Sequence, residues 1–305
     1  MSNRLKAYLY LIIATIVWGI AGPVIKLTLK GLPPDIFLFY RFFISSIAAI
    51  VIFVFTGIKL PKEPKLIRDI IVYGFFNSTA TLGLLFWGTN KTSLLDMSLI
   101  SLFGPILLIL AGFIFLKEHI TFREKIGIII AFLGSALLII EPLLKNHNGQ
   151  SGFWGNLLIL ASLISSAFCG VMVKKLLRRG ISPSFLANLT FLVGFLALLP
   201  FVMIRYGFAE SFSIIKNTPS LYHLGVIYMA IFSGTIAYSL SNLGQKTIEL
   251  SEAAPFAYLH PIFSGFLAIF LLGDKITLPI IIGSAVIFVG VFIAEHKKRR
   301  YNSPV

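Results

Sequence analysis

Long apolar runs alternate with short polar connections along nearly the whole chain. A helix that crosses a membrane needs roughly 20 apolar residues at a rise of about 1.5 Å per residue. Ten such stretches follow one another, and Pro, Gly and charged residues concentrate between them. The pattern predicts an all-α integral membrane protein with about ten transmembrane helices. The predicted spans are residues 7–27, 36–55, 68–88, 94–115, 122–140, 154–175, 185–204, 221–242, 252–272 and 278–295.

Composition supports this picture and excludes a soluble domain. The chain is 57% hydrophobic and 12% charged, whereas soluble domains carry about 25% charged residues. The first apolar stretch is too long for the apolar core of a cleaved signal peptide, so we interpret it as the first span. The net charge of +14 would suit nucleic acid, but the basic residues form short clusters between the spans. We therefore expect the lipid bilayer and a small-molecule substrate as partners, and no nucleic acid.

The distribution of Lys and Arg predicts the orientation in the membrane. With the N-terminus inside, 18 of the 26 basic residues fall on the inner side, seven fall on the outer side, and Arg41 lies within a span. Because basic residues are enriched in inner connections, we expect a multi-pass protein of the plasma or inner membrane with both termini in the cytoplasm. Two termini on one side require an even number of spans.

The chain also matches itself at offsets that drift from 149 to 156 residues. The repeat predicts two units, residues 1–147 and 148–305, each with five spans. An odd number of spans per unit places equivalent segments on opposite sides of the membrane, so the repeat is inverted. Many secondary transporters have this architecture, with a binding site near the midplane between the halves. Matched pairs include Gly31/Gly180, Phe42/Phe191, Lys91/Lys246, Thr92/Thr247, Pro105/Pro261 and Gly134/Gly290.

The ordered motifs resemble the EamA-like family of the drug/metabolite transporter superfamily over about residues 7–295. The resemblance implies two EamA-like repeats in a secondary transporter of amino acids or related amphipathic metabolites, moved outward by alternating access. The sequence departs from the family pattern at Asp274, where Glu is usual, and at Ser165-Ser166, where Trp-Gly often recurs. The residues that carry the resemblance are Trp18-Gly19, Lys26, Arg41-Phe42, Pro105, Leu116-Lys-Glu118, Gly127, Gly134, Gly234-Thr235, Ala237-Tyr238, Ala253-Ala254, Pro261, Leu272-Gly-Asp274, Gly283 and Gly290.

Polar residues deep within the spans are the candidates for a substrate pathway, since polar groups in hydrocarbon are costly and tend to face the bundle interior. For each, a hydrogen bond between helices is the alternative role. Arg41 either attracts an anionic group or extends to the outer surface. Pro105 and Pro261 lie mid-span, where they are expected to kink the helices, either to shape a cavity or to pack. The candidates are Trp18, Arg41, Asn77, Thr81, Ser101, Asn188, Tyr238, Asn242, Tyr258 and His260.

Other polar and small residues have structural interpretations. Glu118 and Asp274 follow spans 4 and 9 and are interpreted as loop anchors, and Thr121-Phe-Arg-Glu124 has the spacing of a capping box. Gly127 and Gly134, like Gly283 and Gly290, are two helical turns apart, which favours a seam where helix backbones approach closely.

The sequence lacks a phosphate loop, a dinucleotide fingerprint and a clustered Cys/His/carboxylate set. We therefore expect no catalytic residues, cofactor or metal. No Asp or Glu lies in the central third of a span, which leaves uncoupled transport and coupling through His260 both open. The alternative functions are an importer or exchanger of phosphorylated or nucleotide-linked metabolites and, from another class, an intramembrane enzyme acting on lipid.

Overall fold

The computed structural model describes residues 3–57, 61–145, 152–264, 267 and 278–295. Within these residues, regular secondary structure is helical and the connections are short, which agrees with the predicted all-α class. Asp274, one of the two predicted loop anchors, lies outside the described residues.

The helices of the first half begin at or beside turn-forming residues. Proline at the first helical position starts α2 and α3, where its missing N–H costs nothing, and α2 ends at Gly57 in the left-handed conformation, with φ 59°. The helices are α1, Asn3–Thr28; α2, Pro34–Thr56; α3, Pro64–Lys91; α4, Leu94–Ser101 and Phe103–Leu116; and α5, Phe122–Lys145.

The second half follows the same order. Its helices are α6, Phe153–Arg178; α7, Pro183–Lys216; α8, Ser220–Thr247; α9, Leu250–Ala253 continued by the 3₁₀-helix Ala254–Leu259 and by residues 260–264; and α10, Leu278–Glu295. Helix α7 extends well beyond the predicted residues 185–204, because a second helical piece follows Gly207, whose φ of 70° lies outside the helical region.

Seven helices of the described residues are long and apolar enough to cross a membrane. They are α1 to α4 and α6 to α8, and a shorter apolar stretch, Ile281–Ala294, lies within α10. Large apolar side chains such as Val54, Phe55 and Ile204 are exposed on the outside of the bundle, as expected for helices that face lipid. The count of ten spans stays a prediction.

The glycine seam joins α5 to α10. A Cβ atom at Gly127 would lie 2.5 Å from the carbonyl oxygen of Gly290, and one at Gly134 would lie 3.0 Å from that of Gly283. Only glycine allows these backbones to come so close, which confirms the predicted close approach. The other extensive helix contacts pair α2 with α7, α1 with α8 and α3 with α6.

Helices α3 and α8 each contain a π-helical segment, at Phe76–Leu82 and Tyr228–Ile236. A π segment leaves main-chain carbonyls less well paired and often occurs at functional sites. In both helices a side chain of the opposite half bonds to the segment. The Trp18 indole N–H donates to the carbonyl of Ser233 (3.0 Å), and the Ser162 hydroxyl donates to that of Thr81 (2.9 Å).

Candidate functional site

A cavity of about 350 Å³ lies between the two halves of the bundle. Its walls come from α1, α2, α3 and α4 of the first half and from α6, α8 and α9 of the second. Most of the predicted pathway residues line it. They are Trp18, Arg41, Asn77, Thr81, Ser101, Tyr238, Asn242 and His260, together with Pro105.

The polar wall of the cavity is formed by one face of α3 and one face of α8. The Thr81 hydroxyl lies 2.7 Å from that of Ser165, and the Asn242 amide donates to the carbonyl of Pro183 (3.2 Å). By contrast, the buried side-chain nitrogen of Asn77 has no hydrogen-bond partner among the described residues. Because an unpaired buried amide is costly, Asn77 is well placed to bind a ligand.

Aromatic rings also line the cavity. The rings of Trp18 and Tyr238 meet edge to face with centroids 5.0 Å apart, and Tyr238 makes a similar contact with Phe191 at 5.5 Å. The Trp18 N–H already bonds to Ser233, so this side chain offers the cavity an apolar surface rather than a donor.

Arg41 is the charged member of the cavity lining. Its side chain is only 1% exposed, so it does not extend to the surface. The guanidinium carbon lies 5.6 Å from the ring centre of Phe86, 5.7 Å from that of Phe191 and 6.0 Å from that of Phe42, all within the range of cation–π attraction. None of its three nitrogens has a hydrogen-bond partner within the described part of the chain.

His260 lines the cavity on α9, where the helix is irregular. The 3₁₀ turn at Ala254–Leu259 lies just before Pro261, and α4 is interrupted at Leu102, three residues before Pro105. A proline cannot donate to the carbonyl four residues before it, so both irregularities lie where the missing bond predicts them. The role of the two prolines in shaping the cavity stays a prediction.

Two of the predicted residues do not line this cavity. Asn188 is fully buried against α8, and its amide donates to the carbonyl of Ser184 one turn earlier (2.8 Å). Tyr258 points instead toward α5, where its ring lies edge to face with Phe132 and its carbonyl accepts from Ser135. The roles of Asn188 and Tyr258 stay predictions.

The cavity also contains residues that the sequence reasoning missed. Tyr73 precedes Asn77 by one helical turn, and Gln245 follows Asn242 by almost one turn. Extending each polar face by a turn would have found both. Ser162 and Met97 were missed as well, although Ser162 lies one turn before Ser165-Ser166 and Met97 lies between Asp96 and Ser98.

At each end of the bundle, a lysine donates to the last carbonyls of a helix that lines the cavity. The Lys26 ammonium donates to the carbonyls of Thr89 (2.8 Å) and Thr92 (2.5 Å), which end α3. The Lys174 ammonium donates to the carbonyls of Gln245 (2.5 Å) and Ile248 (2.6 Å), which end α8. We call these arrangements the Lys26 clamp and the Lys174 clamp. A cation at a helix C-terminus is favoured because the last carbonyls lack helical partners.

The clamps lie at opposite ends of the cavity. A Cβ at Gly244, beside the Lys174 clamp, would touch Leu11 near the start of α1, whereas Lys26 lies near the end of that helix. Fifteen residues of helix separate Leu11 from Lys26, a rise of about 22 Å. The two clamps therefore lie near opposite ends of the helices that line the cavity.

Carboxylates surround the Lys174 clamp. Glu252 pairs with Arg4 at 2.6 Å, and Glu118 accepts the N–H groups of Leu250 and Ser251 at 3.1 and 3.2 Å, which caps α9. Burial raises the pKa of the Glu118 carboxyl, and these two N–H groups oppose the shift. The contacts agree with the predicted anchoring role of Glu118.

The capping box at the start of α5 is also present. The Thr121 N–H donates to the Glu124 carboxylate (2.5 Å), and the Glu124 N–H donates to the Thr121 hydroxyl (3.2 Å). Glu124, Glu249 and Glu252 have carboxylate oxygens within 4.8 Å of one another. Two of these acids have partners within the chain, since Glu252 is paired with Arg4 and Glu124 caps its helix.

A multi-pass helical bundle that encloses a polar and aromatic cavity between two halves has the architecture of a membrane transporter. The chain belongs to the EamA-like transporter family, whose model matches residues 5–140 and 153–295. Both halves therefore carry the family pattern.

Relatives match along the whole chain. An "Uncharacterized transporter YyaM" of Bacillus subtilis is 26% identical, with 99% of this chain and 98% of that protein covered. A "Probable amino-acid metabolite efflux pump" of Escherichia coli is 25% identical, with 92% of each protein covered. A solved crystal structure matches with a TM-score of 0.75 at 16% identity, covers 94% of this chain and 96% of its own, and supports the fold.

Proposed function

We propose that this protein is a secondary transporter that exports small organic metabolites, such as amino acids or related amphipathic compounds. The observation that carries the proposal is the cavity itself, which both halves line and which contains the buried, unpaired Asn77 amide and Arg41 guanidinium. The Escherichia coli relative, named a probable amino-acid metabolite efflux pump, supports the outward direction and the substrate class.

We further propose that the two halves, residues 1–147 and 148–305, are inverted repeats that rock around the cavity. In this arrangement α1 corresponds to α6 and α3 corresponds to α8, so the contact of α1 with α8 is equivalent to the contact of α6 with α3. The π segments of α3 and α8 also occupy equivalent places. The clamps support the same symmetry, since Lys174 follows Lys26 by 148 residues and its acceptors follow those of Lys26 by 156.

Alternating access gives the clamps a role. One end of the cavity opens while the other stays closed, so each lysine releases its helix end in turn. A hydrogen bond to a charged group contributes about 1.5–3 kcal/mol, which suffices to hold an end closed without locking it. With both termini in the cytoplasm, the Lys174 clamp lies on the cytoplasmic side and the Lys26 clamp on the outer side.

The test combines transport with accessibility. Purified protein in liposomes is assayed for counterflow of a panel of labelled amino acids and N-acylated or deaminated derivatives. In parallel, Asn77→Cys in a Cys169→Ala background is labelled with a small polar thiol reagent, with and without a transported compound. Ile129→Cys, on an exposed apolar surface, is the control.

We expect at least one compound to exchange and to slow labelling at position 77 but not at 129. Absence of counterflow for the whole panel, with labelling at 77 no faster than at 129, would refute the proposed carrier.

A further inference from the structure

The charge balance of the cavity is one-sided. Among the described residues that line it, Arg41 is the single one of the types Lys, Arg, Asp and Glu. Buried ionic groups are normally paired or hydrogen-bonded, because an isolated charge in a medium of low polarity is costly. A positive site without a countercharge therefore favours a ligand that brings a negative one.

The geometry around Arg41 points to the same kind of ligand. Phe42, Phe86 and Phe191 lie close enough to attract the cation, but ring faces cannot accept five in-plane N–H bonds. The three guanidinium nitrogens have no hydrogen-bond partner in the described part of the chain. The planar group that matches this fork is a carboxylate, which accepts two parallel N–H bonds.

The rest of the cavity defines the body of that ligand. Trp18, Tyr238 and Phe256 supply aromatic surface, and Asn77 supplies a free amide donor. Among the described lining residues, there is no acid to neutralise an ammonium group and no second Lys or Arg to neutralise a phosphate dianion. A cationic or doubly charged ligand would therefore be bound less well than an anion with a single charge.

We propose that the cavity binds small organic carboxylates with a single negative charge and an apolar body, and that Arg41 binds the carboxylate. This inference rests on the proposed function, because it names the substrate class of the proposed carrier. Within that class it favours acids whose amino group is absent or acylated over free amino acids, and it disfavours the phosphorylated metabolites of the alternative function.

The test compares four probes that share a phenyl body. They are 3-phenylpropionate, phenylalanine, 3-phenylpropionamide and phenethylamine, which carry an anion, a zwitterion, no charge and a cation. Binding to the purified full chain is followed by the fluorescence of Trp18 in a Trp87→Phe, Trp154→Phe background. We expect 3-phenylpropionate to bind at least about tenfold more tightly than the amide or the amine, as a charge-assisted bidentate contact implies.

Three variants assign the effect to Arg41. Arg41→Met should reduce binding of 3-phenylpropionate to the level of the amide, and Arg41→Lys should lie between. Arg68→Met removes an exposed arginine whose partner is Asp69, and it should leave all four affinities unchanged. Arg41→Met should also leave the melting temperature unchanged or raised, because it removes an uncompensated buried charge. A purely structural arginine would lower the melting temperature when removed.

The remaining outcomes contradict the proposal. It is wrong if Arg41→Met changes the Kd of 3-phenylpropionate less than twofold, if the amine or amide binds as tightly as the acid, or if none of the four binds. If the carboxylate proposal fails in one of these ways while other compounds still show counterflow, the proposed transport function stands. Failure of the carboxylate proposal is therefore distinguishable from failure of the proposed transport function.

Discussion

The Lys26 clamp and the Lys174 clamp have the same bonding but different surroundings. Each ammonium donates to two carbonyls that end a helix. Lys174 is 5% exposed and lies in the acid-rich end of the bundle, near Glu118 and Glu252. Lys26 is half-buried, and the neighbouring contacts are the Thr92–Asn156 hydrogen bond and a longer bond from Asn156 to Asp96 (3.4 Å).

This difference teaches that two clamps with the same kind of acceptor can have different electrostatic surroundings. Both lysines donate to helix-end carbonyls, while the side chains around these carbonyls differ. One end is held by a charged network and the other chiefly by neutral hydrogen bonds. We therefore expect the two ends to respond differently to mutation, salt and pH.

The largest effect is expected for Lys174→Met. The change leaves two helix-end carbonyls unpaired and removes the cation beside Glu118, at a cost of roughly 2–4 kcal/mol. The melting temperature of the purified protein should fall, and the counterflow rate should fall at least about tenfold. Lys175→Met, which removes the next lysine along α6, is the matched control. Equal effects of the two variants would contradict a special role for Lys174.

Lys26→Met is expected to have a smaller effect of the same kind. Lys26 is partly solvated, so its bonds are worth less, roughly 1–2 kcal/mol. The melting temperature and the counterflow rate are measured again, with Lys30→Met as the control. Salt screens the charged network around Lys174, so raised salt should lower the melting temperature of wild type and of Lys26→Met. In Lys174→Met, the same salt should lower it less. An effect of Lys26→Met as large as that of Lys174→Met would show that burial does not set the strength of a clamp.

Glu118→Gln is expected to act through pH. Because burial raises the pKa of this carboxyl in the folded protein, the folded state binds the proton more tightly than the unfolded state. The contribution of Glu118 to the free energy of unfolding should therefore rise as the pH falls. The rise should occur between the raised pKa of the folded state and the ordinary pKa of a glutamate. Melting temperatures of wild type should therefore increase relative to Glu118→Gln between pH 8 and pH 5, by about 2 °C. A difference that is constant with pH would refute this assignment.

His260→Gln is expected to have the smallest effect. The ring lies between the two ends, where a charge would be costly, and its Nε2 atom has no hydrogen-bond partner among the described residues. We expect the neutral ring to offer this nitrogen to a ligand as a hydrogen-bond partner, a role that glutamine retains, so most counterflow activity should remain. A pH gradient across the liposomes should not drive accumulation in either protein. Uphill accumulation that His260→Gln abolishes would make His260 the coupling residue.

The sequence predicts the helices and the polar faces well, because apolar length and helical periodicity depend on side chains alone. The spacing of Asn77 and Thr81, and of Tyr238 and Asn242, placed these residues on the faces that line the cavity. The motif at Glu118 likewise indicated an anchor at a helix end.

The rest depends on main-chain groups that a sequence does not reveal. The acceptors of Lys26 and Lys174 are main-chain carbonyls. In the sequence, Lys26 therefore appeared only as a residue of the family motif, and Lys174 appeared only as part of a basic cluster. The π segments of α3 and α8 have no distinctive composition. Asn188 has the residue type of a pathway residue, but it bonds within its own helix.

Arg41 also has a consequence for how the protein is made. Arginine at the centre of an inserting helix costs about 2.5–3.5 kcal/mol, while each Leu, Ile, Phe or Val contributes about −0.3 to −0.6 kcal/mol. Helix α2 contains 14 residues of these four types, enough to offset the arginine during insertion. Phe191, which packs against the guanidinium, is synthesised 150 residues later. During biosynthesis, the first half must therefore hold an incompletely enclosed charge in the membrane until α7 is inserted.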